Sequence, residues 1–132
     1  MIVLDASAVV ALVLDLAPAD RTAIIRDRLR AERRAQVPHL LDVEVTSAVR
    51  RHILSGQYGP RRGRQALDRL GELPLVRWTH TPLLGRALAL RDQLTAYDAV
   101  YVALAEALGA TLLTRDRRLA RAGGHRAAVE LV

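Results

Sequence analysis

The run Ile2-Val3-Leu4-Asp5-Ala6-Ser7-Ala8-Val9-Val10-Ala11-Leu12-Val13-Leu14 decides the fold class. Three apolar residues, two of them β-branched, stop at an acid, and the residues after it are apolar or small except for Ser7. Ile2 to Leu4 reads as a strand buried on both faces, and Ala6 to Leu14 as a buried helix. That helical stretch is too short to cross a bilayer, follows an acid instead of a basic region and ends at Asp15, so neither a signal peptide nor a membrane span is expected.

Working outward, the same alternation continues along the chain. Pro18 and Asp20 make a helix start, and Ile24, Ile25 and Leu29 among Arg26, Arg28, Arg30 and Glu32 predict an amphipathic helix to about Ala35, with a basic outer face. A very short extended piece falls around Val37-Pro38. A helix follows from about Leu41 to Leu54, closed by Ser55-Gly56, and Pro60 opens another that runs to Leu70-Gly71. Pro74 leads a strand from Leu75 to Trp78, with Trp78 expected in the core, and Pro82 opens a helix to about Gln93. Thr95 with Asp98 resembles a capping box before a helix over Tyr97 to Leu108, which Gly109 closes. Thr111 to Thr114 is a strand, Asp116 to Ala122 a short helix, Gly123-Gly124 a turn, and Ala127 to Val132 the last strand.

Short apolar strands separated by helices predict an α/β fold with a parallel sheet covered on both faces, because right-handed crossovers place helices outside. No repeat or linker interrupts residues 1–132, so a single domain is expected. The sequence does not give the strand order.

Composition narrows the chemistry. The 132 residues are 51% apolar and 26% charged, with no cysteine, which excludes disulfides, thiolate nucleophiles, iron–sulfur clusters and cysteine-ligated zinc. The cytoplasm is then the default compartment. All 20 basic residues are Arg, so every mechanism that needs a lysine is excluded. A net charge of +6 favours a polyanionic partner.

Ligands of open α/β sheets bind outside the carboxyl ends of the strands. Two strands end at acids: Asp5 directly after Leu4, and Asp116 two residues after Thr114. Each also suits the N-cap of the helix that follows. Glu44 lies within a helix beside Leu40, Leu41, Ser47 and Ala48, an apolar or small ridge that is unusual for a carboxylate. Asp98 shares a helix face with Tyr101, Val102 and Ala105 and points inward unless it serves only its cap. Lys is absent and no Arg is expected on those two faces, so a divalent cation is the inexpensive way to hold converging carboxylates ionised. Oxygen-only ligands suit Mg²⁺ or Mn²⁺. His39, His52, His80 and His125 lack metal-ligand spacing and read as surface or structural residues. Asp42 reads as a helix-start residue and Asp92 as a surface charge.

Acids holding a metal within a basic chain suit phosphoryl chemistry, since the metal activates water and neutralises charge on a phosphate. Arg50-Arg51, Arg61-Arg62-Arg64 and Arg115-Arg117-Arg118-Arg121 are candidate phosphate contacts, although Arg runs are commonly solvated faces. The last cluster flanks Asp116 and is preferred. The only aromatic residues are Tyr58, Trp78, Tyr97 and Tyr101, too few for base-stacking platforms, so recognition is expected to rest on backbone and shape.

The blocks Ile2-Val3-Leu4-Asp5-Ala6-Ser7-Ala8, Glu44 in a helix after Pro38, Tyr97-Asp98-Ala99-Val100-Tyr101-Val102-Ala103-Leu104-Ala105-Glu106, and Leu112-Leu113-Thr114-Arg115-Asp116 together resemble the PIN-domain family. In length and in its Asp-x-Ser opening the chain is similar to VapC toxins of type II toxin–antitoxin pairs, and the resemblance spans the whole sequence. It implies a three-layer α/β/α sandwich and a Mg²⁺- or Mn²⁺-dependent endoribonuclease. It also implies a homodimer, inhibited by a VapB-type antitoxin that lays a helix and tail across the groove. Asp5, Glu44, Asp98 and Asp116 would form the acidic catalytic and metal site. Ser7 and Thr114 would be auxiliary hydroxyls that position a ligand or water, and both also suit cap or strand positions. The amphipathic helices could offer the antitoxin an apolar groove, but packing onto the sheet explains the same periodicity and is favoured.

Two other enzyme classes place an Asp after the first strand. A haloacid-dehalogenase phosphatase and a receiver domain both require a Lys that is missing here. The rival of a different kind is a non-catalytic module that binds RNA or protein without cutting.

Overall fold

Ile2, Val3 and Leu4 are fully buried, and that places their strand, β1 (Ile2–Leu4), in the middle of the sheet. The computed structural model describes residues 1–15 and 19–132. β1 leads into α1 (Ala6–Leu14), followed by α2 (Ala19–Glu32), β2 (Ala35–Pro38), α3 (Leu40–Leu54) and α4 (Pro60–Glu72). Then come β3 (Leu75–Trp78), a 3₁₀ turn over Thr81–Leu83, α5 (Leu84–Ala89), α6 (Ala96–Leu108), β4 (Thr111–Thr114), α7 (Arg117–Arg121) and β5 (Ala128–Leu131).

All four strand pairings are parallel and the order is β3-β2-β1-β4-β5. Successive strands step outward from β1 to β3, and the chain then returns to place β4 on the other side of β1. The winding therefore reverses between β1 and β4, and a crevice opens at their carboxyl ends. In register Leu4 stands beside Leu113, which sets Asp5 and the residues after Thr114 at one edge. The Asp5 N–H donates to the Leu113 carbonyl at 3.2 Å, so the pairing runs to the edge of the crevice. α1 packs with α3 and α4 in one helical group, and α6 with α5 lies against β1, β2 and β4, giving a sheet flanked by helices.

The predicted elements and the described structure differ in three places, and one predicted helix start cannot be compared. The start of α2 at Pro18 and Asp20 lies outside the described residues and side chains. α2 stops at Glu32 and not near Ala35, because Arg33 takes a left-handed conformation (φ 63°) and Ala35 joins β2 opposite Ile2. The helix expected from Pro82 to Gln93 is a 3₁₀ turn plus the short α5. Leu90 and Leu94, both buried, draw the chain after it into the core, and tertiary packing overrides helical propensity. Trp78 is 41% exposed instead of buried, with its indole N–H donating to Gln36 Oε1 at 2.8 Å. It ends an edge strand, where only part of a large ring is covered.

Several arginines hold the scaffold. Arg69 bonds the Val13 carbonyl at 3.3 Å and pairs with Asp15 at 2.6 Å, and Arg62 reaches the Leu14 carbonyl at 3.4 Å. Together they satisfy carbonyls left over at the end of α1. Arg77 grips Asp42 with two bonds of 2.7 and 2.9 Å, so Asp42, in the first turn of α3, ties that helix to β3. Arg86 grips Glu106 the same way, at 2.8 and 2.9 Å, and Glu106 also accepts the Arg126 N–H. The guanidinium beside it holds the Glu106 carboxyl down to about 2.

Candidate active site

A cavity of about 560 Å³ opens at the crevice beyond β1 and β4, and Asp5, Glu44, Asp98 and Asp116 all line it. Each arrives from a different part of the chain. Asp5 follows β1, Glu44 stands in the second turn of α3, Asp98 in the first turn of α6, and Asp116 caps α7. The capping readings hold as well: Asp5 accepts the Ala8 N–H at 2.9 Å, and Asp116 accepts the Arg118 and Leu119 N–H groups at 2.7 and 3.4 Å. Capping and facing the cavity are compatible, because the N-terminus of a helix after a strand points at the same crevice.

Asp5 is the most tightly held of the four, at 6% exposure. Thr114 Oγ1 donates to its Oδ2 at 2.5 Å, and Ser7 Oγ lies 2.7 and 2.9 Å from its two oxygens. These hydroxyls have little choice of direction. Ser7 Oγ accepts the Arg115 N–H at 2.8 Å and Thr114 Oγ1 accepts the Asp116 N–H at 2.9 Å, which leaves the single proton of each for Asp5. The two side chains thus link β1 to the turn that carries Asp116. On the far wall, the Tyr101 hydroxyl donates to Glu44 Oε2 at 2.5 Å.

A family model for the PIN domain matches residues 2–125. This chain belongs to the PIN-domain family. It is 43% identical over 132 residues to Ribonuclease VapC12 of Mycobacterium tuberculosis, covering 100% of this chain and 99% of that one. It is 44% identical over 131 residues to Ribonuclease VapC1 of the same species, covering 98% and 96%. The crystal structure of PAE2754 from Pyrobaculum aerophilum shares the fold with a TM-score of 0.73 at 23% identity, over 97% of this chain and 81% of that one.

In this PIN domain the acids burden one another. Burial raises the pKa of Asp5 against the pull of its three donors, and the charge of Asp98 adds to it. Glu44 is raised by burial and then by Asp98 and Asp5, opposed by the Tyr101 hydroxyl. Asp98 is raised by burial and by Asp116, opposed by Thr95 and Arg118. Asp98 is therefore the common neighbour. Tyr101, 1% exposed and surrounded by these charges, has its pKa pushed far up and remains a proton donor at any working pH.

Among the described residues no three acidic or imidazole side chains close tightly enough on one point to chelate an ion as they stand. The carboxylates frame the cavity. A Mg²⁺-type ion keeps several waters and takes one or two carboxylates plus substrate oxygens, so an oxygen-only frame around open space fits it in kind. Asp5 retains acceptor capacity for such an ion, since its three donors take about three of its roughly four lone-pair sites.

The carboxylate strain has a measurable consequence without any metal. A carboxyl with a folded pKa above its unfolded one contributes stability below the ordinary carboxylate range and loses it as pH rises through the raised value. At neutral pH the ionised set therefore opposes folding. Glu44→Gln keeps an oxygen for the Tyr101 hydroxyl and removes one charge. In chelator at pH 7.5 its Tm is expected above that of the parent, by about 4 °C for each 1 kcal/mol gained in a chain of this length. The gap should close as the buffer is brought down through the raised Glu44 value. An unchanged or lower Tm at neutral pH would contradict the electrostatic reading.

Of the wall residues Ser47, Arg51, His52 and Tyr97, only Arg51 was a functional candidate from the sequence, as part of the Arg50-Arg51 run. Ser47, Arg51 and His52 line the cavity beside Glu44, and Tyr97 beside Asp98. The expectation that no Arg shares the Glu44 face is corrected: Arg51, two helical turns on, lies on it. His52 Nδ1 pairs with Gln57 Oε1, and its ring packs on Tyr58, itself covered by Arg62. Of the preferred Arg115, Arg117, Arg118 and Arg121 cluster, none lines the cavity, and Arg118 lies 3.6 Å from Asp116.

Proposed function

We propose that this chain is a VapC-type endoribonuclease toxin that hydrolyses RNA phosphodiester bonds with water, using Mg²⁺ or Mn²⁺ held by Asp5, Glu44, Asp98 and Asp116. The observation that carries this reading is the convergence of four acids from four elements on one cavity at the sheet's switch point. Residues 1–132 act as one PIN domain, dimeric and cytoplasmic, neutralised by a VapB-type antitoxin. Among the described residues no helix is long and apolar enough to cross a membrane.

The ion, when bound, supplies an activated water and offsets charge on the phosphate. The chain's own side chains do the rest. Asp5, fixed by Ser7, Thr114 and the Ala8 N–H, is a rigid ligand at the base of the cavity. Glu44 is aimed by Tyr101, and Asp98 stands between the other acids. Surface arginines bring the polyanion to the crevice.

Thr114 offers a test of the positioning. It is fully buried, and Thr114→Val keeps its shape while removing the donor to Asp5 and the acceptor for the Asp116 N–H. RNA cleavage is expected to fall about 10- to 100-fold, the usual cost of an outer partner of a metal ligand. Unchanged cleavage by a folded Thr114→Val variant would remove Thr114 from the site.

The function itself is tested by incubating labelled RNA with the chain in Mn²⁺, in Mg²⁺ and in EDTA. Fragments are expected with either ion and none in EDTA. RNA binding without cleavage in all three would overturn the nuclease reading.

A further inference from the structure

Four carboxylates repel a polyanion, so a strand of RNA threading this cavity needs a cation inside its wall as well as around its rim. Among the lining residues the only arginine is Arg51. α3 presents Glu44, Ser47, Ala48, Arg51 and His52 to the cavity, the spacing of one helix face. Seven residues separate Glu44 from Arg51, a rise of about 10 Å along the axis. The Arg51 backbone therefore stands two turns from Glu44, its guanidinium reaches back to Ser47, and its charge is not among those that act on the Glu44 carboxyl.

Its guanidinium is also uncommitted, unlike those of Arg69, Arg77 and Arg86, which are used within the fold. Arg51 makes no ion pair among the described residues, and its Nη1 bonds only the neutral Ser47 hydroxyl, at 3.2 Å. That bond steers the side chain along the wall and leaves donors for a ligand. Arg51 and Arg118 are both exposed, but Arg118 is already beside the Asp116 carboxylate and is outside the cavity lining.

We propose that Arg51 holds an RNA phosphate neighbouring the one that is cut, and so fixes the register of the strand in the cavity. The proposal rests on the nuclease reading for its substrate. Arg51 is a positioning residue: its guanidinium touches Ser47 and none of the acids, so its removal is expected to weaken substrate binding more than the chemical step.

The test uses the full chain and a short labelled single-stranded RNA, comparing the parent with Arg51→Ala, Arg51→Lys and Arg50→Ala. Arg50 is the adjacent arginine on α3 and is outside the cavity lining. In Mn²⁺, Arg51→Ala is expected to raise KM about tenfold with kcat within about twofold, as loss of one charge-assisted contact predicts. Binding measured by fluorescence anisotropy in EDTA should weaken likewise, with the slope of log K against log salt shallower by about 0.7. Arg51→Lys should recover part of the loss, and Arg50→Ala should lose clearly less than Arg51→Ala. Equal KM and salt slope for Arg51→Ala and parent, an equal loss in Arg50→Ala, or a parent that binds no RNA would each overturn the proposal. If the parent binds RNA without cutting it and Arg51→Ala binds it less, the phosphate subsite stands and the nuclease reading falls.

Discussion

Asp5→Asn is expected to abolish RNA cleavage, with a loss well beyond the roughly 10- to 100-fold expected for its outer partners, while the far-UV circular dichroism is expected to stay that of the parent. Asp5 is the acid at the centre of the sheet edge, and Ser7, Thr114 and the Ala8 N–H hold its carboxylate in one orientation. An asparagine keeps an oxygen for the Ala8 N–H and Ser7, so the N-cap of α1 survives, while its amide NH2 takes the place of the second oxygen and donates to Thr114 Oγ1. What it loses is the charge that attracts a cation. Because burial and Asp98 already oppose that charge, the variant should melt no lower than the parent in chelator. Cleavage at the parent's rate would show that Asp5 is a cap and nothing more.

The second large effect concerns the ion. The pKa values of Asp5, Glu44 and Asp98 are raised by burial and by their acidic neighbours, so a divalent cation at the cavity would relieve the penalty of holding these carboxylates ionised. Binding that occurs only in the folded state adds about 2.7 kcal/mol of stability at an ion concentration 100 times Kd. In a chain of this length that corresponds to a rise in Tm of about 10 °C. Thermal melts in Mn²⁺ titrations should show this rise, reversed by EDTA, and Asp98→Asn should show much less of it, since Asp98 is the neighbour common to the other acids. A Tm indifferent to Mn²⁺, or an equal rise in Asp98→Asn, would place the ion elsewhere.

The parts of this account that the sequence carried are those with local causes. A buried strand that stops at an acid and passes into a helix marks Asp5, and Leu112-Leu113-Thr114 before Asp116 repeats the pattern, so both acids could be set at the carboxyl edge before any topology was known. Glu44 stood out because its helical neighbours are apolar or small. What depends on tertiary packing was hidden. The return of β4 to the side of β1, which brings Asp116 to Asp5, follows from how helices cover the sheet. The contact from Tyr101 to Glu44 joins two helices far apart in sequence, although Tyr101 was recognisable as a neighbour of Asp98 on its own face. Arg51 was visible only as part of an Arg run, and its place emerges when the Glu44 face is followed two turns further. The preference for the arginines around Asp116 followed proximity in sequence, whereas the cavity wall is built from the sides of helices. Trp78 and the helix after Pro82 departed from expectation because an edge strand covers only one side of its last residue, and because Leu90 and Leu94 are drawn into the core.

The proposed nuclease requires that the four acids hold an ion on which RNA cleavage depends. Its most direct test is one gel of labelled total RNA incubated with the parent chain and with Asp98→Asn, each in Mn²⁺ and in EDTA. Fragments are predicted only from the parent in Mn²⁺. The same fragments from the parent in EDTA, or from Asp98→Asn in Mn²⁺, would contradict the account.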